Sequence, residues 1–312
     1  MQRRMSRLGI VLILGFCASE AALAGDLEVC ADPVDEAAIP ACTRAVESHE
    51  LTGRDLAEIH VKRGFARFVR GDLDGEIADD DEAIRLDPTF ARAFIYRGHA
   101  YGLKRDRDRA LADFNEAIRL DPTDYGAFYG RGLTYRGKGD HDRAIADYDE
   151  TIRLNPDFAS AFLDRGLAHG AKGDRASAIA DFSEAIRIQP GFADAFVDRG
   201  NAYDAGGDDD RAIADYTAAI RLDPELAVAF HNRGRAYAAK ADYDHAIADF
   251  SEAIRLDPEY AGAFTHRGLA HEAKGERAQA RIDYTAALAV APSREYDGWA
   301  HDVARQRLAA PQ

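Results

Sequence analysis

Two residue types recur at one fixed offset through most of this chain, and together they could form charge-assisted hydrogen bonds. Arg63, Arg97, Arg131, Arg165, Arg199, Arg233 and Arg267 lie 34 residues apart, and so do Asp79, Asp113, Asp147, Asp181, Asp215, Asp249 and Asp283. A guanidinium and a carboxylate repeated in this way predict a ladder of ion pairs, within repeats or between neighbours. A ligand would have to match seven identical charges, so the ladder reads as structural. Cys30 and Cys42 are a second candidate pair. An oxidising compartment favours a disulfide between them, and two buried free thiols are the other reading. The ten histidines lack the spacing of a helical metal site, since His266 and His271, five apart, do not share a face. No phosphate-cradling glycine loop is present, and no catalytic constellation stands out. The expectation is a protein without enzyme activity, cofactor or metal.

Charge and composition point the same way. A net charge of -15 would repel a polyanion, so nucleic acid is not an expected partner. At the start, Arg3, Arg4 and Arg7 precede an apolar run from Leu8 to Ala18 and the small-residue pattern Ala22-Leu23-Ala24. This reads as an export segment over 1–24, cleaved before Gly25. Its apolar run falls well short of the ~20 residues a spanning helix needs, as does every later stretch, so the mature chain has no expected transmembrane segment. Phe16 stands where a lipidation site wants a small residue, which argues against an anchor at Cys17. The expected location is the periplasm or the exterior.

The elements that position the charged ladder follow from the same period. Pro88, Pro122, Pro156, Pro190, Pro224, Pro258 and Pro292 keep step with Gly64, Gly98, Gly132, Gly166, Gly200, Gly234 and Gly268. Seven repeats therefore fill 57–294: 57–90, 91–124, 125–158, 159–192, 193–226, 227–260 and 261–294, with the glycines at repeat position 8. Within the third, Ala144, Ile145, Tyr148, Thr151, Ile152 and Leu154 have the spacing of one helical face that ends before Pro156. A preceding helix carries Phe128, Gly132 and Tyr135 and stops near Gly139, a residue suited to a left-handed cap. Asp140 and Asp142 suit the positive start of the next helix. Each repeat is thus an antiparallel helix hairpin, and neighbours supply the rest of its core.

These residues resemble the tetratricopeptide repeat family: Gly at position 8, Tyr or His mostly at 11, Ala at 20, Phe or Tyr at 24, Ala at 27 and Pro at 32. The resemblance implies an all-α, right-handed superhelical solenoid whose concave groove, lined by first helices, binds protein or peptide partners. Arg at position 7 departs from the family's usual apolar residue. By the family pattern, positions 2, 5, 9, 12 and 13 face the groove and supply Val61, Phe65, Phe68 and Val69, then Arg92, Ile95, His99 and Leu103, then Tyr129, Leu133 and Arg136, then Leu163 and Leu167. The N-terminal half is apolar with basic points, whereas Asp194, Asn201, Asp204, His231 and Arg235 follow. Some members grip a terminal carboxylate with Lys, Asn and Arg; Asn201 and Asn232 match, but Val197, Thr265 and Leu269 occupy the cationic places, so that clamp is not expected.

The ends depart from the pattern. Residues 25–56 read as a partial repeat in which Cys30 and Cys42 would staple a capping hairpin, with Pro40 kinking its helix or starting it late. Residues 295–312 suit a final helix with Tyr296, Trp299, Val303 and Leu308 inward and Asp302, Arg305 and Gln306 in water. In repeat one, Glu76 and Asp80 replace Ala and an aromatic and would repel unless His60, Arg63 or Arg67 reaches them. Such an end repeat reads first as a degenerate unit with wetter faces; the other reading is a pH-sensitive hinge in which a protonated His60 pairs with both. The favoured function is a non-catalytic scaffold holding partners in its groove; the alternative is a structural envelope protein that self-associates through its ends.

Overall fold

The computed structural model describes residues 22–291 and 297–310, all of whose regular structure is helical. They fall into two compact parts, one ending at Pro156 and one beginning at Asp157. The first holds α1 (22–30), α2 (Ala38–Glu47), α3 (Gly53–Val69), α4 (Leu73–Leu86), α5 (Ala91–Leu103), α6 (Arg107–Leu120), α7 (Tyr125–Gly137) and α8 (His141–Leu154). The second holds α9 (Ala159–Ala171), α10 (Arg175–Ile188), α11 (Ala193–Asp204), α12 (Asp209–Leu222), α13 (Ala227–Ala239), α14 (Tyr243–Leu256), α15 (Ala261–Ala273), α16 (Arg277–Ala289) and α17 (Asp297–Ala309). From α3 to α16, each repeat is one pair of helices packed as a hairpin.

Local chemistry fixes the ends of these helices. Asp72, Asp106, Asp140, Asp174, Asp208 and Asp242 each cap a second helix, accepting a hydrogen bond from the backbone N–H three residues on. Asp140 is thus the cap of α8, and Asp142 lies in its first turn. Each second helix that precedes an X-Pro step stops on an extended residue, as at Asp87 with φ -140°, because a proline next in sequence disfavours helix there. The turn between the two helices of a hairpin needs a left-handed residue. Glycine supplies it at Gly71, Gly139, Gly173, Gly207 and Gly275, while Arg105 (φ 62°) and Ala241 (φ 59°) adopt it without that freedom.

The core is built from small residues and one ring per hairpin. Ala144, Tyr148 and Thr151 are fully buried in α8, with Ile145, Ile152 and Leu154 half-buried beside them. A Cβ on Gly132 would fall 2.7 Å from the Tyr148 ring, so glycine is required for that ring to lie against α7. Phe114, Phe182, Tyr216, Phe250 and Tyr284 occupy the same place in their repeats.

The ends differ in detail from expectation. Pro40 lies in the first turn of α2, where a missing N–H removes no helical bond, and the helix continues through it. Cys30 and Cys42 are bonded, Sγ to Sγ 2.04 Å, and sit in a core with Ala41, Ala45 and Ile59. Helix α1 runs across the expected cleavage point after Ala24, and the rest of the expected export segment, 1–21, lies outside the described residues. Residues 53–56, ahead of repeat one, lengthen its first helix: α3 has 17 residues where α5 has 13. At the other end, Ala300, His301 and Ala304 are the buried residues of α17, while Trp299 remains 46% exposed and stacks on His266. Tyr296 lies outside the described residues.

Candidate functional site

Each ladder arginine makes a planar, two-pronged contact with the aspartate of its own hairpin. In repeat three, Arg131 Nε donates to Asp147 Oδ2 at 2.9 Å and Nη2 to Oδ1 at 2.7 Å. Arg97–Asp113, Arg165–Asp181, Arg199–Asp215, Arg233–Asp249 and Arg267–Asp283 repeat this fork. These aspartates are buried, none of them more than 6% exposed. The third nitrogen ties the hairpin to the one before it. Nη1 of Arg63, Arg97, Arg131, Arg199, Arg233 and Arg267 donates to Thr43 of α2 and to Asp81, Asn115, Ser183, Thr217 and Ser251, these five at repeat position 25. The guanidinium also lies over the position-4 phenylalanine, 5.5 Å from its centroid for Arg97 and Phe94. The bond from Asp147 raises the Arg131 pKa from its ordinary value against the opposing effect of burial. These partners tie each arginine within its own hairpin and, through Nη1, to its neighbour.

Repeat one gathers two arginines and a histidine on one acid. His60 Nδ1 lies 3.0 Å from Asp79 Oδ1, Arg63 Nη2 2.6 Å from the same atom and Arg67 Nη1 2.9 Å from Oδ2. Burial alone would raise the Asp79 pKa; the hydrogen bonds from His60 and Arg63 and the charges of Arg63 and Arg67 leave it lowered. Glu76 and Asp80 are left without those partners, which corrects the expectation that His60 would pair with them. Among the described residues, Glu76 Oε2 and both oxygens of Asp80 have no hydrogen-bond partner. Burial pushes Glu76 up to about 8, and burial with the charges of Glu76 and Asp79 raises Asp80 well above the carboxylate range.

The first-helix residues assigned to a groove divide into two sets. Val61 and Ile95 are 3% and 6% exposed and belong to the cores, so neither is open to a partner. The following hairpin covers them, as where Val61 meets Ala93 and Phe90, whereas Tyr129 and Leu163 at the same repeat position stay half-buried. Phe65, Phe68, His99, Tyr129, Leu133 and Arg136 are half-buried, Arg92 is exposed, and Val69 and Leu103 are 44% and 59% exposed. Phe65 stacks on Phe68 at 5.8 Å and on Tyr96 at 5.6 Å. Tyr96 is not among the expected groove residues; its position 6 is glycine in repeat three, and only the neighbouring ring reveals its part. In the second part, Leu163 and Leu167 are half-buried.

Polar side chains of the second part satisfy one another. Tyr216 Oη and Asn232 Nδ2 each donate to Asn201 Oδ1 at 2.9 Å, while Val197 and Thr265 are buried. His231 Nε2 lies 3.1 Å from His266 Nδ1, and burial pushes His266 down to about 4. His271 Nδ1 meets Glu276 at 2.6 Å. Among the described residues no group of three or more His, Cys, Asp or Glu could hold a metal ion, and no helix is long and apolar enough to cross a membrane.

Comparisons with known proteins agree with this architecture. A family model described as TPR repeat matches residues 132–173, 200–240 and 234–275, and two described as tetratricopeptide repeat match 91–124 and 159–192. Among curated proteins none matches the sequence. A tetratricopeptide repeat protein from Parabacteroides merdae is 18% identical, with a TM-score of 0.61 over 80% of this chain and 98% of that one. PilF of Pseudomonas aeruginosa is 17% identical, with a TM-score of 0.62 over 72% of this chain and 100% of the other. YrrB, a TPR protein, is 24% identical, with a TM-score of 0.50 over 59% and 95%. At such identities the likeness is one of fold. Together with the seven hairpins, these matches establish that the chain belongs to the tetratricopeptide repeat family, whose fold generally serves protein–protein interaction without catalysis.

Proposed function

We propose that this chain is an exported, non-catalytic scaffold that holds an extended protein segment along the first helices of its early repeats. One observation carries the reading: the first helices of repeats one to three keep Phe68, Val69, Leu103, Tyr129 and Leu133 wholly or partly exposed with Arg92 and Arg136 among them. The second helices instead present charge pairs such as Arg119–Glu116 and Arg153–Glu150 to solvent. Apolar contact next to cations suits a segment that carries apolar side chains with an acidic flank. The basic and apolar start of the chain and the bonded Cys30 and Cys42 support export to an oxidising compartment.

The test is a double substitution, Tyr129→Ala with Arg136→Ala, measured against a partner recovered by co-purification. Affinity should fall at least about tenfold while the helical signal and melting temperature are kept. Unchanged affinity would move the site to the second helices or the ends.

A further inference from the structure

A cavity of about 240 Å³ opens between α5 and α7. His99, Leu103, Arg107 and Leu133 line it with Phe114, and Gly102 leaves it open. Gly102 stands at position 12, where repeats one and three carry Phe68 and Arg136. The same repeat positions form a cavity of about 370 Å³ between α9 and α11, where Gly170 again stands at position 12 and Arg175 at position 17. A feature that recurs at identical repeat positions follows from the glycine. The α5–α7 cavity is smaller than ordinary small-molecule sites, which suits one side chain.

The first cavity differs from the second in its polar groups. Among the described residues neither ring nitrogen of His99 has a hydrogen-bond partner; the ring is set edge-on to Phe114 at 5.1 Å, and burial lowers its pKa against the opposing charge of Asp124. Arg107 has no carboxylate partner there, and it also borders a shallow depression with Lys104, Arg105 and Lys138. Asp74 and Asp108 hold the two lysines, but Arg105 is unpaired among the described residues. Arg105 also takes the left-handed conformation that five other repeats give to glycine. One unpaired guanidinium in the same cavity as an unpartnered imidazole, with a second at the adjoining depression, is set to receive an anion. In the second cavity, Leu167 replaces His99 and Asp198 joins the wall, which would repel one.

We propose that the α5–α7 cavity receives a glutamate side chain of the partner segment, its methylenes against Phe114 and Leu133 and its carboxylate between His99 and Arg107. Arg105 steers the acid to the mouth. This rests on the reading of the first-helix face as the partner-binding face and adds a specific acidic anchor to it.

The probes are an end-capped, fluorescein-labelled peptide of alternating leucine and glutamate and its leucine–glutamine counterpart, titrated against the full chain. The glutamate peptide should bind about tenfold more tightly. Arg107→Gln should erase that preference, and so should His99→Leu, which copies Leu167, while Arg175→Gln should change it less than about twofold. Binding of the glutamate peptide should raise the His99 imidazole pKa in an NMR titration, a shift that the glutamine peptide should not produce. Equal affinity for the two peptides, or a preference that survives Arg107→Gln, would overturn the anchor. If both peptides then weakened with Tyr129→Ala and Arg136→Ala, the binding face would stand without its acidic socket. Binding of neither peptide would also overturn the socket, leaving the face to be tested with the co-purified partner.

Discussion

Arg233 reaches Asp249 with two nitrogens and Thr217 with the third, and the 34-residue recurrence of arginine and aspartate is enough to anticipate the first of these contacts. The tie to position 25 is not legible, because Asp81, Asn115, Ser183 and Thr217 share hydrogen-bonding capacity rather than a residue type. Arg233→Ala would strand a carboxylate that is 6% exposed and should cost about 3–5 kcal/mol in urea denaturation, whereas Arg233→Leu with Asp249→Leu should cost less. An unchanged urea midpoint in the single variant would show the ladder to be a surface pattern. Repeat one is legible only as a concentration of polar groups, since spacing does not say which of Glu76, Asp79 and Asp80 His60, Arg63 and Arg67 choose. Glu76 takes up its proton more readily in the folded chain, about 8 against an ordinary 4.5. Its contribution to stability is therefore whole below about pH 4.5 and is lost as pH rises through about 8, because burial disfavours its charged form. Amides of α3 and α4 should exchange with lower protection at about pH 9 than at about pH 6, after correction for intrinsic rates. Glu76→Gln should remove most of that difference; protection independent of pH in the parent protein would contradict the buried acid.

Helix boundaries are the most legible level, because the proline, the glycine and the capping aspartate of each repeat act locally. The first-helix faces are less so. The family pattern assigns position 5 to the groove, but Val61 and Ile95 are covered by the following hairpin, a contact that depends on how neighbours stack. The hairpin turns offer a measurable consequence. Ala241 holds φ at 59°, which costs an L-residue about 1–2 kcal/mol, only partly offset by the lower entropy it has to lose. Ala241→Gly should therefore stabilise the chain by about 0.5–1 kcal/mol, and Gly132→Ala should destabilise it by about 1–3 kcal/mol through the 2.7 Å approach to Tyr148. Thermal melts of the two variants should move in opposite directions, and a common direction would contradict the reading of both glycine positions.

At the scale of the molecule, seven similar hairpins carry recurring charge pairs on their exposed sides. Lys138–Asp108 at 2.7 Å and Lys274–Asp244 at 2.5 Å link successive hairpins on the outside, as exposed pairs that salt will screen. The N-terminal hairpin adds a covalent tie, and Cys30→Ser with Cys42→Ser should lower the stability of α1 and α2 by about 3 kcal/mol, read as lost exchange protection there. Protection unchanged by the double substitution would mean that packing alone holds α1. The central claim is that the exposed first-helix face of the early repeats receives a protein segment. Photo-cross-linking tests it most directly, with benzoylphenylalanine placed either at Leu103, on α5, or at Ala112, an exposed residue of α6. Partner cross-links from Leu103 and none from Ala112 are the predicted result; cross-links from Ala112 with none from Leu103 would contradict it.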